Sequence, residues 1–117
     1  MISAKVIHGD GIGKELGFPT ANLDIREFDC DFELGVFSAS AWLLGEKYLA
    51  SVTIIKNPKF KFEVHVLNYS GEDFYGEILQ VEVKEKISSL KKFKNKEELI
   101  EKIEKDLSAI SLISHKS

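Results

Sequence analysis

The sequence has almost no cysteine, because Cys30 is the only one among its 117 residues. A single thiol excludes an internal disulfide and a cysteine-based metal cluster. A free cysteine is ordinary in a reducing compartment, where the simplest interpretation is a small, buried or half-buried side chain. The start of the chain, Met1 to Lys5, has neither the apolar core of a signal peptide nor an arginine-rich transit composition. We therefore expect a cytoplasmic protein.

Long apolar runs are also missing, and no segment approaches the roughly 18 to 20 apolar residues of a membrane helix. A composition of 44% apolar and 30% charged residues is typical of a soluble globular protein. The formal net charge of −3 provides no basic excess for a nucleic-acid partner. Lysines do concentrate between Lys84 and Lys105, but many alternate with glutamates, as on a solvated helix face. We expect one domain, 1–117, that binds neither membrane nor nucleic acid.

The most informative segment is a glycine-rich stretch that leads directly into Pro19-Thr20-Ala21-Asn22. Glycine reaches backbone conformations closed to other residues, which lets main-chain N–H groups surround a phosphate. Thr20 and Asn22 add oxygens that suit a hard cation such as magnesium. The stretch is not a Walker A loop, because Lys14 is followed by Glu15, and Pro19 argues against the helix that a Rossmann turn requires.

The residues after Pro19 alternate in a way that predicts an extended chain. Ala21, Leu23 and Ile25 would point to one side of it. Thr20 and Asn22 would point to the other side, together with Asp24. The two candidate ligands are therefore predicted to share a face.

From Gly35 to Val83 the apolar residues repeat with period two between turn signals, which predicts a run of strands. Predicted strands cover Val36 to Leu44, Tyr48 to Ile55, about Phe60 to Asn68, and Gly76 to Val83. Their predicted inward residues include Phe37, Ala39, Ala41, Leu43, Phe62, Val64, Val66, Leu79, Val81 and Val83. In the third of these strands Glu63 and His65 share the opposite face. Closely spaced antiparallel strands indicate a barrel or a sandwich.

The C-terminal part changes to helical spacing. Asn95 and Glu98 form a capping-box pattern, and apolar residues recur from Leu99 to Ile110. We predict a helix from about Lys96 to Ile110 that packs on the strands, with Glu98 paired to Lys102 four residues on. The tail from Ser111 to Ser117 is expected to fray.

The order of these motifs resembles the riboflavin kinase family over about Ala4 to Ala109. The matching segments are His8-Gly9-Asp10-Gly11, Leu16-Gly17-Phe18-Pro19-Thr20-Ala21-Asn22-Leu23, Gly35-Val36-Phe37, Asn57-Pro58, Glu63-Val64-His65, Asp73-Phe74-Tyr75-Gly76 and Phe93 before the closing helix. The resemblance implies a mainly β fold: a small antiparallel Greek-key β-barrel of about six strands with a C-terminal α-helix.

The resemblance also implies an activity, the transfer of the terminal phosphate of ATP to the ribityl 5′-hydroxyl of riboflavin. The products are FMN and ADP, and the reaction needs magnesium or another divalent cation. Glu63 matches the catalytic glutamate of the family, and Thr20 and Asn22 match its metal-binding positions. The implied phosphate-binding residues are Gly9, Gly11, Gly13, Lys14, Gly17, Phe18, Pro19 and Thr20. The resemblance assigns no residue to the flavin.

Two further residues of the matching segments are expected to have structural roles rather than catalytic ones. His8 is interpreted as an anchor of the loop. Tyr75 is expected either near the nucleotide or at the cap of the barrel. The expected partners are riboflavin and ATP, with their products, and the expected state is a monomer. In many bacteria this domain follows an FMN adenylyltransferase domain, so the chain is either a stand-alone kinase or an excised domain.

The sequence departs from the family pattern in three ways, and two of them, a shorter loop and Ser88, leave an alternative open. Many bacterial members have threonine where this chain has Lys59, and the loop from there to Glu63 is several residues shorter. Ser88 occupies a position where the family often carries arginine, and serine cannot supply that planar cation. The alternative is a noncatalytic flavin or nucleotide sensor on the same barrel. A barrel that binds single-stranded nucleic acid is disfavoured by the acidic charge.

Overall fold

The computed structural model describes residues 1–8, 20–56, 59–69, 74–91 and 94–116, with helix side chains as far as Ile113. Over these residues the elements are six strands, a short 3-10 helix and one α-helix. The strands are β1 (Ile2–Ile7), β2 (Ala21–Leu23), β3 (Gly35–Leu43), β4 (Glu46–Lys56), β5 (Phe60–Val66) and β6 (Ile78–Ser88). The 3-10 helix is Glu27–Asp29, and the α-helix, α1, is Lys96–Lys116.

All strand pairs are antiparallel, and the described strands close into a barrel in the order β1-β2-β5-β4-β3-β6. Strands β3, β4 and β5 follow one another as neighbours, and β6 returns beside β3. This is the connectivity of a Greek key. The predicted fold class is therefore confirmed.

Period-two alternation decides which side chains fill the barrel. The two middle inward positions of β3 are small: Ala39 and Ala41 are both fully buried, and Ala39 lies opposite Ala50 of β4. Larger side chains fill the remaining space, as small barrels require: Leu43, Val52, Ile54, Phe62, Val64, Leu79 and Val81 are all buried. The predicted strand faces are confirmed, although β6 extends beyond the predicted end at Val83. Its ladder with β3 continues to Ser88 through two register irregularities.

The start of β3 depends on a glycine. Gly35 has φ 149°, and a Cβ atom there would lie 2.9 Å from Cε of Lys86 and 3.1 Å from the carbonyl oxygen of Ser88. A side chain at this position would press on the backbone of β6. The close approach of β3 and β6 therefore requires glycine at position 35.

Helix α1 begins with the predicted cap. The backbone N–H of Glu98 donates to Oδ1 of Asn95 over 2.9 Å, and the Glu98 carboxylate accepts from the N–H of Lys94 over 3.1 Å. The helix contacts β4 and β6 on the outside of the barrel. It continues past the predicted end at Ile110 to Lys116. The tail prediction was wrong as far as Lys116, because the backbone there is still helical and Ile110, at the predicted end, is fully buried.

Candidate active site

The central feature of the candidate site is a direct cross-strand pair between β2 and β5. Ala21 lies opposite Val64, and Asn22 lies opposite Glu63. Ala21 and Val64 are buried in the barrel, so Asn22 and Glu63 point outward on the same face. Both are half-buried. Directly opposed residues have Cβ atoms roughly 4.5–5.5 Å apart, which lets one small group contact both side chains.

Asn22 and Glu63 belong to a row of cross-strand partners that runs around the barrel, and the row continues on the other side of Glu63. Thr53 of β4 is the second cross-strand partner of Glu63, and Val36 of β3 lies opposite Thr53. Val36 in turn lies opposite Ser88 of β6. Glu63 therefore has an amide on its β2 side and a hydroxyl on its β4 side. Thr53 was not singled out from the sequence; its outward phase between the inward Val52 and Ile54 was the only available signal.

Thr20 and His65 lie next to this row. Thr20 is half-buried and comes immediately before β2, while His65 follows Val64 in β5 and lies opposite Ser51 of β4. Because side chains two apart in a strand share a face, His65 shares the face of Glu63. The predicted shared face of Thr20 and Asn22 agrees with the inward burial of Ala21 and Leu23. The outer surface here is thus lined by hydroxyl, amide, imidazole and carboxylate groups.

The glycine loop itself is outside the described residues, as are seven predicted phosphate-binding residues: Gly9, Gly11, Gly13, Lys14, Gly17, Phe18 and Pro19. Its two flanks are described. His8 stacks on Tyr75 with ring centroids 3.8 Å apart and an interplanar angle of 21°. The residue before the loop is thus held against the turn that precedes β6, in agreement with the anchoring role expected of His8. On the other flank, Thr20 leads directly into β2.

Ser88 stands where the family often carries arginine, but a cation from the helix lies beside it. Nζ of Lys102, from α1, donates to Oγ of Ser88 over 2.8 Å and forms an ion pair with Asp106 over 2.7 Å. Lys102 therefore takes Asp106 as its partner rather than the predicted Glu98. The contact joins the β6 end of the row to the helix.

A separate cleft of about 400 Å3 lies between α1 and the β3–β4 hairpin. Its lining includes Ser40, Tyr48 and Glu85 from the barrel and Ile110 and Ile113 from the helix. Ser38, also in this lining, is occupied with the backbone of Glu85, whose N–H donates to Oγ over 3.1 Å. Among the described residues, the predicted site residues Thr20, Asn22 and Glu63 do not line this cleft.

The oxygens of Thr20 and Asn22 fit a hard divalent cation, which prefers oxygen ligands. Magnesium usually keeps several waters and takes further oxygens from substrate phosphates, so two neutral side-chain oxygens are a compatible protein contribution. Within the described ranges, no cluster of three or more His, Cys, Asp or Glu side chains could hold a metal.

In the same part of the chain, no helix has the length and apolar character of a membrane span.

Comparison with known proteins gives the same family as the motifs. The family model described as flavokinase, riboflavin kinase, matches residues 1–113. The bifunctional riboflavin kinase/FMN adenylyltransferase of Escherichia coli K12 is 34% identical over 111 residues, which are 90% of this chain and 35% of that protein. Human riboflavin kinase is 34% identical over 113 residues, covering 88% of this chain and 73% of that protein.

Solved structures share the fold. A Streptococcus pneumoniae structure titled a macrolide-efflux protein has a TM-score of 0.85 and 26% identity, covering 93% of this chain and 37% of that one. The riboflavin kinase of Trypanosoma brucei has a TM-score of 0.71 and 22% identity, covering 97% and 78%. The chain spans about a third of the length of its bacterial relatives, 35% for the Escherichia coli protein. With the family model matched over nearly its whole length, the chain belongs to the riboflavin kinase family.

Proposed function

We propose that this chain transfers the terminal phosphate of ATP to the ribityl 5′-hydroxyl of riboflavin, giving FMN and ADP, and that the reaction depends on a divalent cation. The proposal extends to the chain what family membership implies. The proposed setting is the cytoplasm and the proposed state is a monomer.

The observation that carries the proposal is the cross-strand pairing of Asn22 with Glu63. The two residues belong to separate motifs of the sequence, and each motif alone has an ordinary structural explanation. Their juxtaposition on one outward face brings an oxygen ligand beside a carboxylate that is half-buried. A site for phosphoryl transfer needs this combination, because the catalytic contribution is mainly positioning and charge neutralisation.

In the proposed reaction Glu63 is the general base. The 5′-hydroxyl oxygen forms a bond to the terminal phosphorus, the bond from that phosphorus to the ADP oxygen breaks, and the hydroxyl proton passes to the Glu63 carboxylate. A positioned base of this kind typically contributes 10²- to 10⁴-fold to the rate. The carboxylate lies next to Asn22 and can therefore hold the attacking hydroxyl beside the phosphate.

Thr20 and Asn22 are proposed to hold the divalent cation, and the glycine stretch with Lys14, Phe18 and Pro19 is proposed to surround the phosphates. A bound cation supplies charge neutralisation on the phosphate oxygens. Thr20 is well placed for both roles, because it joins the glycine stretch to β2. His8, stacked on Tyr75, would fix the other flank of the stretch.

The direct test is to incubate the purified protein with riboflavin, ATP and magnesium and to separate riboflavin from FMN by chromatography. We expect FMN to form in proportion to enzyme, and to disappear when a chelator removes the cation or when ATP is omitted. A range of metals and nucleoside triphosphates identifies the preferred donor. If riboflavin binds, as measured by quenching of its fluorescence, but no metal or nucleotide gives FMN, the noncatalytic sensor is correct instead.

A further inference from the structure

We propose that Thr53 binds the acceptor alcohol. Its hydroxyl forms a hydrogen bond with the ribityl 4′-hydroxyl, which is next to the 5′-hydroxyl that is phosphorylated. The inference rests on the proposed function and adds a residue that the family motifs do not contain. Thr53 and Asn22 are the two cross-strand partners of Glu63, one on each side. All three side chains are half-buried and point outward from the barrel.

The two sides of Glu63 are not equivalent. Asn22 lies on the β2 side, which leads back through Thr20 to the glycine stretch. In phosphoryl transfer the attacking and leaving oxygens are roughly in line on opposite sides of phosphorus. If the nucleotide approaches from the β2 side, the acceptor has to approach Glu63 from the other side. Thr53 is the residue that the β4 strand places there.

The chemistry of Thr53 suits this position. The end of the ribityl chain is a 1,2-diol, so the attacked hydroxyl has a second hydroxyl on the next carbon. Opposed side chains have Cβ atoms roughly 4.5–5.5 Å apart, which suits two groups that each contact one oxygen of a diol. A threonine hydroxyl both donates and accepts, and its branched Cβ restricts its rotamers. Beyond Thr53 the row becomes apolar, because the next residue is Val36.

The experiment removes one hydroxyl from the protein and one from the substrate. Thr53→Val keeps a β-branched shape and a strong strand preference, so the barrel should be retained. We expect kcat/KM for riboflavin to fall about 3- to 10-fold, the scale of one neutral hydrogen bond, with the KM for ATP unchanged. Thr53→Ser should restore most of the loss. Ser3→Ala, which removes an exposed hydroxyl from β1 outside the row, should have no effect.

The matched substrate is the riboflavin analogue that lacks the 4′-hydroxyl. The wild-type protein should lose a similar factor on this analogue, while Thr53→Val should lose almost nothing further, because the two deletions remove the same contact. Additive losses, or unchanged kinetics for Thr53→Val, would overturn the inference. Absence of FMN with the wild-type protein would overturn the proposed function itself, so the two failures are distinguishable.

Discussion

Asn22 on β2 and Glu63 on β5 are direct cross-strand partners, although they lie far apart in the sequence. The pairing depends on the strand order of the barrel, in which β5 lies between β2 and β4. A one-residue slip would turn Glu63 into the core and Val64 outward. The fully buried Val64 and the nearly buried Ala21 therefore hold the candidate site in register.

Glu63→Gln tests the proton-accepting role of this pair. The amide keeps the shape of the side chain but cannot act as a base at neutral pH. Turnover should fall about 10²-fold or more, while nucleotide binding, measured by calorimetry, should be retained. Glu82→Gln is the control, because Glu82 is an exposed carboxylate on β6 outside the row. Near-normal FMN formation by Glu63→Gln would remove Glu63 from the mechanism.

The Lys102–Asp106 pair should be important for the docking of α1. The side chains are only 13% and 11% exposed, and Nζ also donates to Ser88 of β6. Asp106→Ala would leave a nearly buried ammonium without its carboxylate, which should lower the free energy of unfolding by about 3 kcal/mol in urea titrations. Replacing both partners, with Lys102→Met and Asp106→Leu, should recover most of the loss.

The exposed pair of Lys56 and Glu27 is the matched control for that experiment. Its N–O distance of 2.8 Å is similar, but the side chains are 52% and 53% exposed. Glu27→Gln should change the free energy of unfolding by less than about 1 kcal/mol, because solvent screens such pairs. If Asp106→Ala were no more destabilising than Glu27→Gln, the buried pair would have no special part in stability.

Local patterns in the sequence predicted much of this fold. Period-two spacing identified the inward faces of the strands, and Asn95 with Glu98 located the start of α1. The strand spacing alone was compatible with a barrel or a sandwich, and the family resemblance predicted the Greek-key barrel. What local patterns do not contain is cross-strand register. Alternation shows that Glu63 faces outward, but the register of β5 against β2 and against β4 decides that its neighbours are Asn22 and Thr53.

The choice of partner for Lys102 was also beyond local pattern. Helical spacing offers both Glu98 and Asp106 at four residues' distance, and the preferred orientation of the charges favoured Glu98. In the structure Glu98 caps the helix, while Asp106 is buried. Burial against the barrel strengthens the pairing with Asp106, because charges interact more strongly away from water. Tertiary packing thus overrides the rule for isolated helices.

The hydrogen bond between Tyr48 and Glu46 gives a prediction for alkaline pH. The Tyr48 hydroxyl donates to Oε2 of Glu46 over 3.0 Å. This hydrogen bond is the largest cause that raises the pKa of Tyr48 above its ordinary value of 10.0, followed by burial and the charges of Glu46 and Tyr69. Glu46→Gln should therefore lower the pKa of Tyr48. In an ultraviolet titration, tyrosinate absorbance should then appear at a lower pH than in the wild type.

The same shift fixes the sign of its effect on stability. A pKa that is higher in the folded than in the unfolded chain means that the folded state holds the phenol proton more tightly. The stabilising contribution is complete below the unfolded value of about 10 and is lost as the pH rises through the folded value. The stability difference between wild type and Glu46→Gln should thus shrink above pH 10; a difference that grew there would contradict the assignment.

The β3–β4 hairpin contains a residue that its turn does not favour. Leu43 pairs with Glu46, which leaves the two-residue loop Leu44-Gly45, with φ 51° at Leu44 and 85° at Gly45. A two-residue turn with positive φ at both positions prefers Asn-Gly, because leucine in the left-handed region costs about 1 kcal/mol or more. Leu44 is 71% exposed, so its replacement removes little buried surface.

Leu44→Asn should therefore raise the free energy of unfolding by about 0.5–1 kcal/mol, measured by urea titration, without changing FMN formation. Leu44→Ala is the control, because alanine removes the same side chain but keeps a Cβ with little tolerance for positive φ. The turn is distant from the Asn22–Glu63 pair, so the free energy of unfolding should change while FMN formation does not. Equal stabilities of the asparagine and alanine variants would show that backbone conformation at Leu44 is not the cause.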